Sequence, residues 1–170
     1  ADEGYPKIPV IFEKIGLPKV NNVTLEILEL RSEKFNDYFY YPMQIHEHRK
    51  RKKIRFADNV YKKGKSYPDA LIKKQNIEKG KYLNKLGFRI YPLRYEPTEK
   101  SIIVYSNIII KFSYESQGFS KQRNPRRHQK KMLKSELLNY PYISTKDYTI
   151  KTQSYANGDY DYLILLAKSS

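Results

Sequence analysis

The clearest periodicity in the chain lies in "NIIIKFSYE". There Ile108, Ile110, Phe112 and Tyr114 alternate with Ile109, Lys111, Ser113 and Glu115. A period of two sends successive side chains to opposite faces of a strand, so this stretch predicts a strand with one face buried. Pro9 to Ile15 is a short apolar run closed by Gly16 and Pro18. Val23, Leu25 and Ile27 alternate with Thr24, Glu26 and Leu28, and the shift to Leu28 and Leu30 predicts a bulge. Phe35 to Ile45 is rich in Tyr and Phe, which suit a half-buried pleated surface, and its Pro42 puts it at a sheet edge or strand end. Phe88–Leu93 and Ser101–Ser106 read as further strands, punctuated by Pro92 and Pro97. Strands at this spacing, with almost no helical periodicity, predict a mainly β fold, a sandwich or jelly roll, over residues 1–115.

Beyond Glu115 the pattern changes. "SQGFSKQRNPRRHQKK" is polar, basic and aperiodic, as a linker or exposed loop is. "KKMLKSELLN" then sets Leu133 and Leu137 four apart with Pro141 just beyond Asn139, which predicts a short helix. Residues 116–158 therefore read as a basic linker with a short helix, and one strand is expected near Tyr148–Thr152. The chain closes on "GDYDYLILLAKSS", whose Tyr160 and Tyr162–Leu166 form a nearly continuous apolar run. Such runs are buried on both faces of a sheet, yet only Ala167–Ser170 follow. Residues 159–170 are expected to be the first strand of a separate, truncated α/β domain.

Composition narrows the function classes. The 170 residues hold no Cys, which excludes disulfides, thiolate metal sites and a cysteine nucleophile within these residues. No apolar stretch approaches the roughly 20 residues of a membrane helix, so no membrane partner is expected. The sequence starts at Ala1 with no signal-peptide pattern, and a processed or partial piece of a longer chain is the expectation. The net charge of +15 is uneven: residues 49–95 hold 16 Lys and Arg against 3 Asp and Glu. A Lys-, Ile-, Asn- and Tyr-rich codon usage accounts for part of this, and the 17 Tyr fit it. The concentration between Arg49 and Lys85 instead points to an acidic partner.

Four motifs carry candidate chemistry. In "HEH", His46 and His48 share one strand face at a spacing that suits zinc, but no further ligand lies near and His128 is far along the chain, so neither metal nor cofactor is expected. No phosphate loop, nucleophile elbow or Ser-His-Asp spacing is present, and catalysis by these residues is not expected. "HRKRKKIRF" at 48–56 and "YKKGKSYP" at 61–68 mix cations with aromatics. That mixture holds single-stranded nucleic acid, so a β-barrel nucleic-acid-binding module is the alternative reading, beside a plain solvated loop. "RNPRRHQKK" at 123–131 is dibasic at Arg126–Arg127 and Lys130–Lys131, a candidate maturation cleavage site, or else a charged linker.

Taken in order along the chain, several stretches resemble the N-terminal propeptide of gingipain-type cysteine peptidases. "GYPKIPV" at 4–10 is similar to a common opening of these propeptides, and "VYKKGKSYP" at 60–68 to the Val-Tyr, short loop, Tyr/Phe-Pro element that follows. "FRIYPLRYEPTEKSIIVYSNIIIKFSY" at 88–114 looks like the family's closing strands, and "DYDYLILLAKSS" like the strand that opens the catalytic domain. The 48–56 run is more basic than the family pattern. The resemblance implies a non-catalytic β-sandwich prodomain that inhibits a secreted or extracytoplasmic cysteine peptidase in cis and assists its folding. It also implies a basic loop laid into the active-site cleft, a Lys or Arg meeting a buried carboxylate through charge-assisted hydrogen bonds. Lys62, Lys63 and Lys65, around Gly64, are the candidates for this inhibitory loop, with Arg49–Arg55 as second choice.

Overall fold

The computed structural model describes residues 3–17, 20, 22–44, 54–114 and 125–142. Strands β1 (Ile11–Leu17), β2 (Val23–Phe35), β3 (Ile72–Glu78), β4 (Asn84–Ile90), β5 (Leu93–Glu96) and β6 (Ser101–Tyr114) are joined by helices α1 (Asp58–Tyr61) and α2 (Arg127–Glu136) and a 3-10 turn at Tyr140–Tyr142. They form two antiparallel sheets, ordered β1-β4-β3 and β2-β6-β5. The mainly β expectation holds. The terminal run Tyr160–Leu166, the segment Tyr148–Thr152, the linker from Glu115 to Asn124 and the His46–His48 pair lie outside the described residues.

The chain divides into two compact units: residues 1–11, 31–72 and 90–106, and residues 12–30, 73–89 and 107–170. In the second unit the alternation of β6 is realised residue by residue. Ile108, Ile110, Phe112 and Tyr114 are buried while Ile109, Lys111 and Ser113 are half-exposed. Central strand β4 answers from the other sheet with buried Leu86 and Phe88, and the Phe88 and Phe112 rings meet at 5.0 Å. Burial of side chains this size, at about 2 kcal/mol each, makes this aliphatic and Phe layer the main source of cohesion in the unit. On the opposite face of β4 a Cβ at Gly87 would lie 2.6 Å from Gln75 Oε1 and 3.1 Å from the Phe12 ring, so those side-chain ends would have to shift to admit one.

The two runs predicted at Ser101–Ser106 and Asn107–Tyr114 are one strand. Asn107 sits between them at φ 52, a left-handed conformation that Asn tolerates better than most residues. On β2 the predicted buried face ends early: Val23 is buried and Leu25 half-buried, but Ile27, Leu28 and Leu30 are exposed. Strand β2 is a sheet edge, and past Leu25 its inner face has no cover among the described residues. The periodicity found the strand but not the extent of the layer above it.

The first unit is built differently. Buried Ile8, Val60, Tyr95 and Ile102 are surrounded by Tyr5, Tyr40, Tyr61, Tyr67 and Tyr91. Its hairpin β5–β6 pairs Leu93 with Val104 and Glu96 with Ser101. Of the predicted strand at Phe35–Ile45, the described residues 36–44 do not form a strand. Asp37 turns at φ 62, and the rest makes only the isolated bridge Pro6–Pro42, since proline has no N–H for a ladder. Backbone bonds from Gly4 to Met43 and from Ala57 to Gly4, each 2.8 Å, tie the segment down instead.

Candidate functional site

The loop that carries Lys62, Lys63 and Lys65 leaves the end of α1, a single turn whose buried Val60 anchors it in the first unit. Its backbone is bonded throughout. Lys62 and Lys63 N–H donate to Asp58 O, Gly64 N–H to Val60 O at 3.0 Å, and Lys65 N–H to Asn59 O at 3.0 Å. Gly64 lies at φ 68, and a Cβ there would meet Thr98 Oγ1 at 2.4 Å. Left-handed backbone and close approach together demand glycine. Thr98 Oγ1 donates to Gly64 O at 3.1 Å, and the Ser66 hydroxyl donates to the Glu96 carboxylate. Tyr67 closes the loop by exchanging two backbone bonds with Tyr95, at 2.9 and 2.7 Å, along β5. The "Tyr-Pro" that ends the motif is a cis Tyr67–Pro68 bond.

With the backbone fixed, the three ammonium groups differ. Lys62 Nζ pairs with Asp58 Oδ2 at 3.0 Å, one helical turn back and largely exposed, so the pair contributes little stability. Lys63 and Lys65 are exposed and have no ion-pair partner among the described residues. Behind the loop, Tyr61 donates its hydroxyl to Tyr40 O at 2.6 Å. Burial, and secondarily the neighbouring Tyr95, raises the Tyr61 pKa, so the hydroxyl remains a protonated donor. Of the second-choice run, only Ile54 and Arg55 are described. Arg55 Nη1 lies 3.2 Å from Glu3 Oε2, and its backbone N–H and C=O are held by the Gln44 side-chain amide at 2.9 and 2.8 Å.

The dibasic residues sit on α2. Arg126 is its N-cap, where its N–H donates to Gln129 Oε1 at 2.8 Å, and Arg127, Lys130 and Lys131 lie in the helix. The helix predicted from Leu133 and Leu137 is present and starts earlier than "KKMLKSELLN" implies. Leu133 and Leu137 pack with Leu83 and Tyr140. Glu136 is held from both sides: Lys14 Nζ lies 2.8 Å from Oε1 and Lys85 Nζ 2.6 Å from Oε2. Those bonds, Lys14 first, keep its carboxyl below the usual range, and the same contact raises the Lys14 pKa. Further on, the buried Asn139 amide accepts from Gly16 N–H at 2.8 Å and donates to Gly16 O at 2.7 Å, as a neighbouring strand would. Leu138 N–H adds a bond to Lys14 O at 3.0 Å. The edge strand β1 is thereby capped by residues 138–139. Sequence reading missed this attachment, because a single Asn ahead of the Tyr140–Pro141 turn carries no periodic signal.

Among the described residues no group of His, Asp and Glu is placed to hold a metal. What these residues can offer is recognition: a fixed loop with two unpaired cations, and a basic helix pinned to a sandwich. The family model Propeptide_C25 matches residues 1–148, and the chain belongs to that family, as a gingipain-type propeptide. No curated protein sequence matches it. Two solved structures, both from Porphyromonas gingivalis, share the fold. A chain of the complex of RgpB pro- and mature domains superposes with a TM-score of 0.68 at 14% identity, over 83% of this chain and 75% of that one. The structure that addresses zymogenic latency of gingipain K superposes with a TM-score of 0.54 at 14% identity, over 68% and 69%.

Proposed function

We propose that this propeptide holds a cysteine-peptidase domain of its own polypeptide latent and assists its folding, outside the cytoplasm. In this reading Lys62–Lys65 is the segment laid into the active-site cleft. The observation that carries the assignment is the contrast within that loop: every backbone N–H from Lys62 to Lys65 is bonded, while the ammonium groups of Lys63 and Lys65 are exposed and have no ion-pair partner among the described residues. A loop already ordered loses little conformational entropy on docking, and a free cation answers a buried carboxylate without first leaving another partner. Lys63 and Lys65 are favoured over Lys62, which is engaged by Asp58.

Residues 1–115 serve as the inhibitory sandwich, 116–158 as the connector that is cut, and 159–170 as the entry into the catalytic domain. Maturation cleaves at Arg126–Arg127 or Lys130–Lys131. A protease takes its substrate extended, so a helical bond is cut only after local unfolding, which is cheapest at a helix end. The Arg126–Arg127 bond, at the N-cap of α2, is therefore expected to be cut before Lys130–Lys131 in limited trypsin digestion followed by mass spectrometry. First cleavage after Lys131 would reverse that order.

The decisive experiment adds the 1–170 chain to the peptidase domain encoded in the same reading frame. Inhibition is expected for the wild type and is expected to weaken with Lys63→Ala/Lys65→Ala. Inhibition unchanged by the double substitution removes the loop from the cleft; no inhibition by the wild type removes the function itself.

A further inference from the structure

The first unit leaves a group of aromatic rings in solvent. Phe39 is 52% exposed, Tyr41 70% and Phe56 41%. They are contiguous through Tyr61: Phe39 meets Tyr41 at 5.1 Å and Tyr61 at 5.9 Å, and Phe56 meets Tyr61 at 5.1 Å. A folded domain that stands alone rarely exposes a joined set of large apolar side chains, and Tyr and Phe are enriched where protein surfaces meet. These rings are also not loose. Tyr61 is bonded to Tyr40 O, and Gln44 clamps the backbone of Arg55 next to Phe56.

Their position gives the patch a direction. Tyr61 is the residue before Lys62, so the aromatic surface runs directly into the loop with the free cations, and Arg55, paired with Glu3, stands beside Phe56 on its other border. An apolar centre with a cationic rim fits a protein surface that has an apolar hollow bordered by carboxylates. A nucleic-acid strand is fitted less well, since successive bases stack best on rings that share an orientation, whereas Phe39 with Tyr41, and Phe56 with Tyr61, stand nearly perpendicular at 82°.

We infer that Phe39, Tyr41 and Phe56 form the surface by which this propeptide grips its peptidase domain, and so supply the affinity that keeps the Lys62–Lys65 loop in place. This rests on the latency function proposed above and adds to it where the binding energy lies. The exposed Ile27, Leu28 and Leu30 on edge strand β2 of the second unit are the competing patch. They are aliphatic, and the cation that adjoins them, Arg31, is already engaged.

The test measures the dissociation constant of the 1–170 chain for the peptidase domain by surface plasmon resonance. The wild type is compared with Phe39→Ser/Tyr41→Ser/Phe56→Ser, with the single Tyr41→Ser, and with Leu28→Ser/Leu30→Ser. Thermal melts check folding, and Tyr41, the most exposed ring, secures a variant that folds. The aromatic triple is expected to weaken binding by about 30-fold or more, Tyr41→Ser by about fivefold, and the leucine pair by less than about threefold. Wild-type binding with an aromatic triple that binds equally well overturns the inference and leaves the latency function standing. Loss confined to the leucine pair does the same and moves the interface to β2. A concentration-dependent dimer abolished by the aromatic triple, or oligo-dT binding lost in it, with peptidase affinity unchanged, assigns the patch elsewhere. A wild type that does not bind at all sinks the latency function first, and this inference with it.

Discussion

Phe112 in the second unit and Tyr61 in the first both sit among aromatic neighbours, yet their surroundings differ. Phe112 has no accessible surface and packs on buried Phe88. Tyr61 is half-buried, and two of its ring partners, Phe39 and Phe56, are exposed. The contrast extends to the units. Of the buried apolar residues described, Ile15, Leu17, Leu86, Phe88 and the β6 face belong to the second, whereas the first buries few and supports them with partly exposed tyrosines. Tyr38, Phe39, Tyr41 and Phe56, all in the first unit, are exposed. Apolar surface that is buried on folding stabilises the fold; apolar surface left in solvent is available to a partner. Both units leave apolar residues exposed, but the joined aromatic rings belong to the first; in the inference drawn above, the second unit serves as scaffold and the first as the recognition surface.

Phe112→Ala tests the scaffold half hardest. Emptying a fully buried Phe position costs about 4 kcal/mol, a loss that urea unfolding would register as a much lower midpoint. A cost as small as that of a surface substitution would dissolve the distinction between the units. Asn139→Ala comes next, at about 3 kcal/mol, because it orphans both the N–H and the C=O of Gly16, and each buried orphan costs 1–3 kcal/mol. Amide exchange at Gly16 and along α2 should rise together in that variant. Independent exchange of α2 would mean the helix is held by Leu133, Leu137 and the Glu136 ion pairs without help from Asn139.

The part of this division that periodicity could show is the scaffold. The β6 face, Ile108 to Tyr114, is written as a clean period of two and folds that way, because a strand covered on one side leaves no other economical pattern. The half-buried face of β2 failed past Leu25, since alternation reports that a face is apolar and not whether anything covers it. Strand β3 was invisible: "IKKQNIE" sits at a sheet edge with Lys73, Lys74, Gln75 and Asn76 exposed, so little in it needs to be apolar. The loop at Lys62–Lys65 was found through its motif, but its rigidity was not, because that depends on Thr98, Glu96 and Tyr95 more than 25 residues away. Phe39 and Tyr41 of the exposed aromatic patch read as strand and Phe56 as part of a basic run, since Tyr and Phe suit a pleated surface and an interface equally.

Glu136 tests how α2 is fastened to the scaffold, and its effect depends on pH. Its carboxyl titrates below the ordinary range in the folded protein, so its contribution is complete above the unfolded value of about 4.3 and is lost as pH falls through the lower folded value. Lys14, with a raised pKa, contributes fully below about 10.4 and loses its share as pH rises through the folded value. The wild type should lose stability on acidification below about pH 4. Glu136→Gln should cost about 2 kcal/mol at pH 7, the scale of hydrogen bonds to a charged group, and should flatten that acid limb. A limb of unchanged slope would place the acid-sensitive carboxylate elsewhere.

Tyr61→Phe carries the smallest expected change in stability and separates the two units most sharply. It removes one hydroxyl, the 2.6 Å bond to Tyr40 O, and keeps the ring that joins Phe39 to Phe56. The expected loss is about 1 kcal/mol in urea unfolding, because Tyr40 O is only partly buried and water can replace the donor. Affinity for the peptidase domain should fall more than stability does, since the bond fixes α1, and α1 sets the direction in which Lys63 and Lys65 leave the surface. Adding Gly64→Ala extends the comparison. The residue lies in left-handed backbone with Thr98 Oγ1 in the way of a Cβ, so the loop must move while the second unit keeps its melting behaviour. Inhibition that survives both changes would show that the cations find the cleft without a fixed loop, so that the loop's order is not what makes the propeptide inhibit.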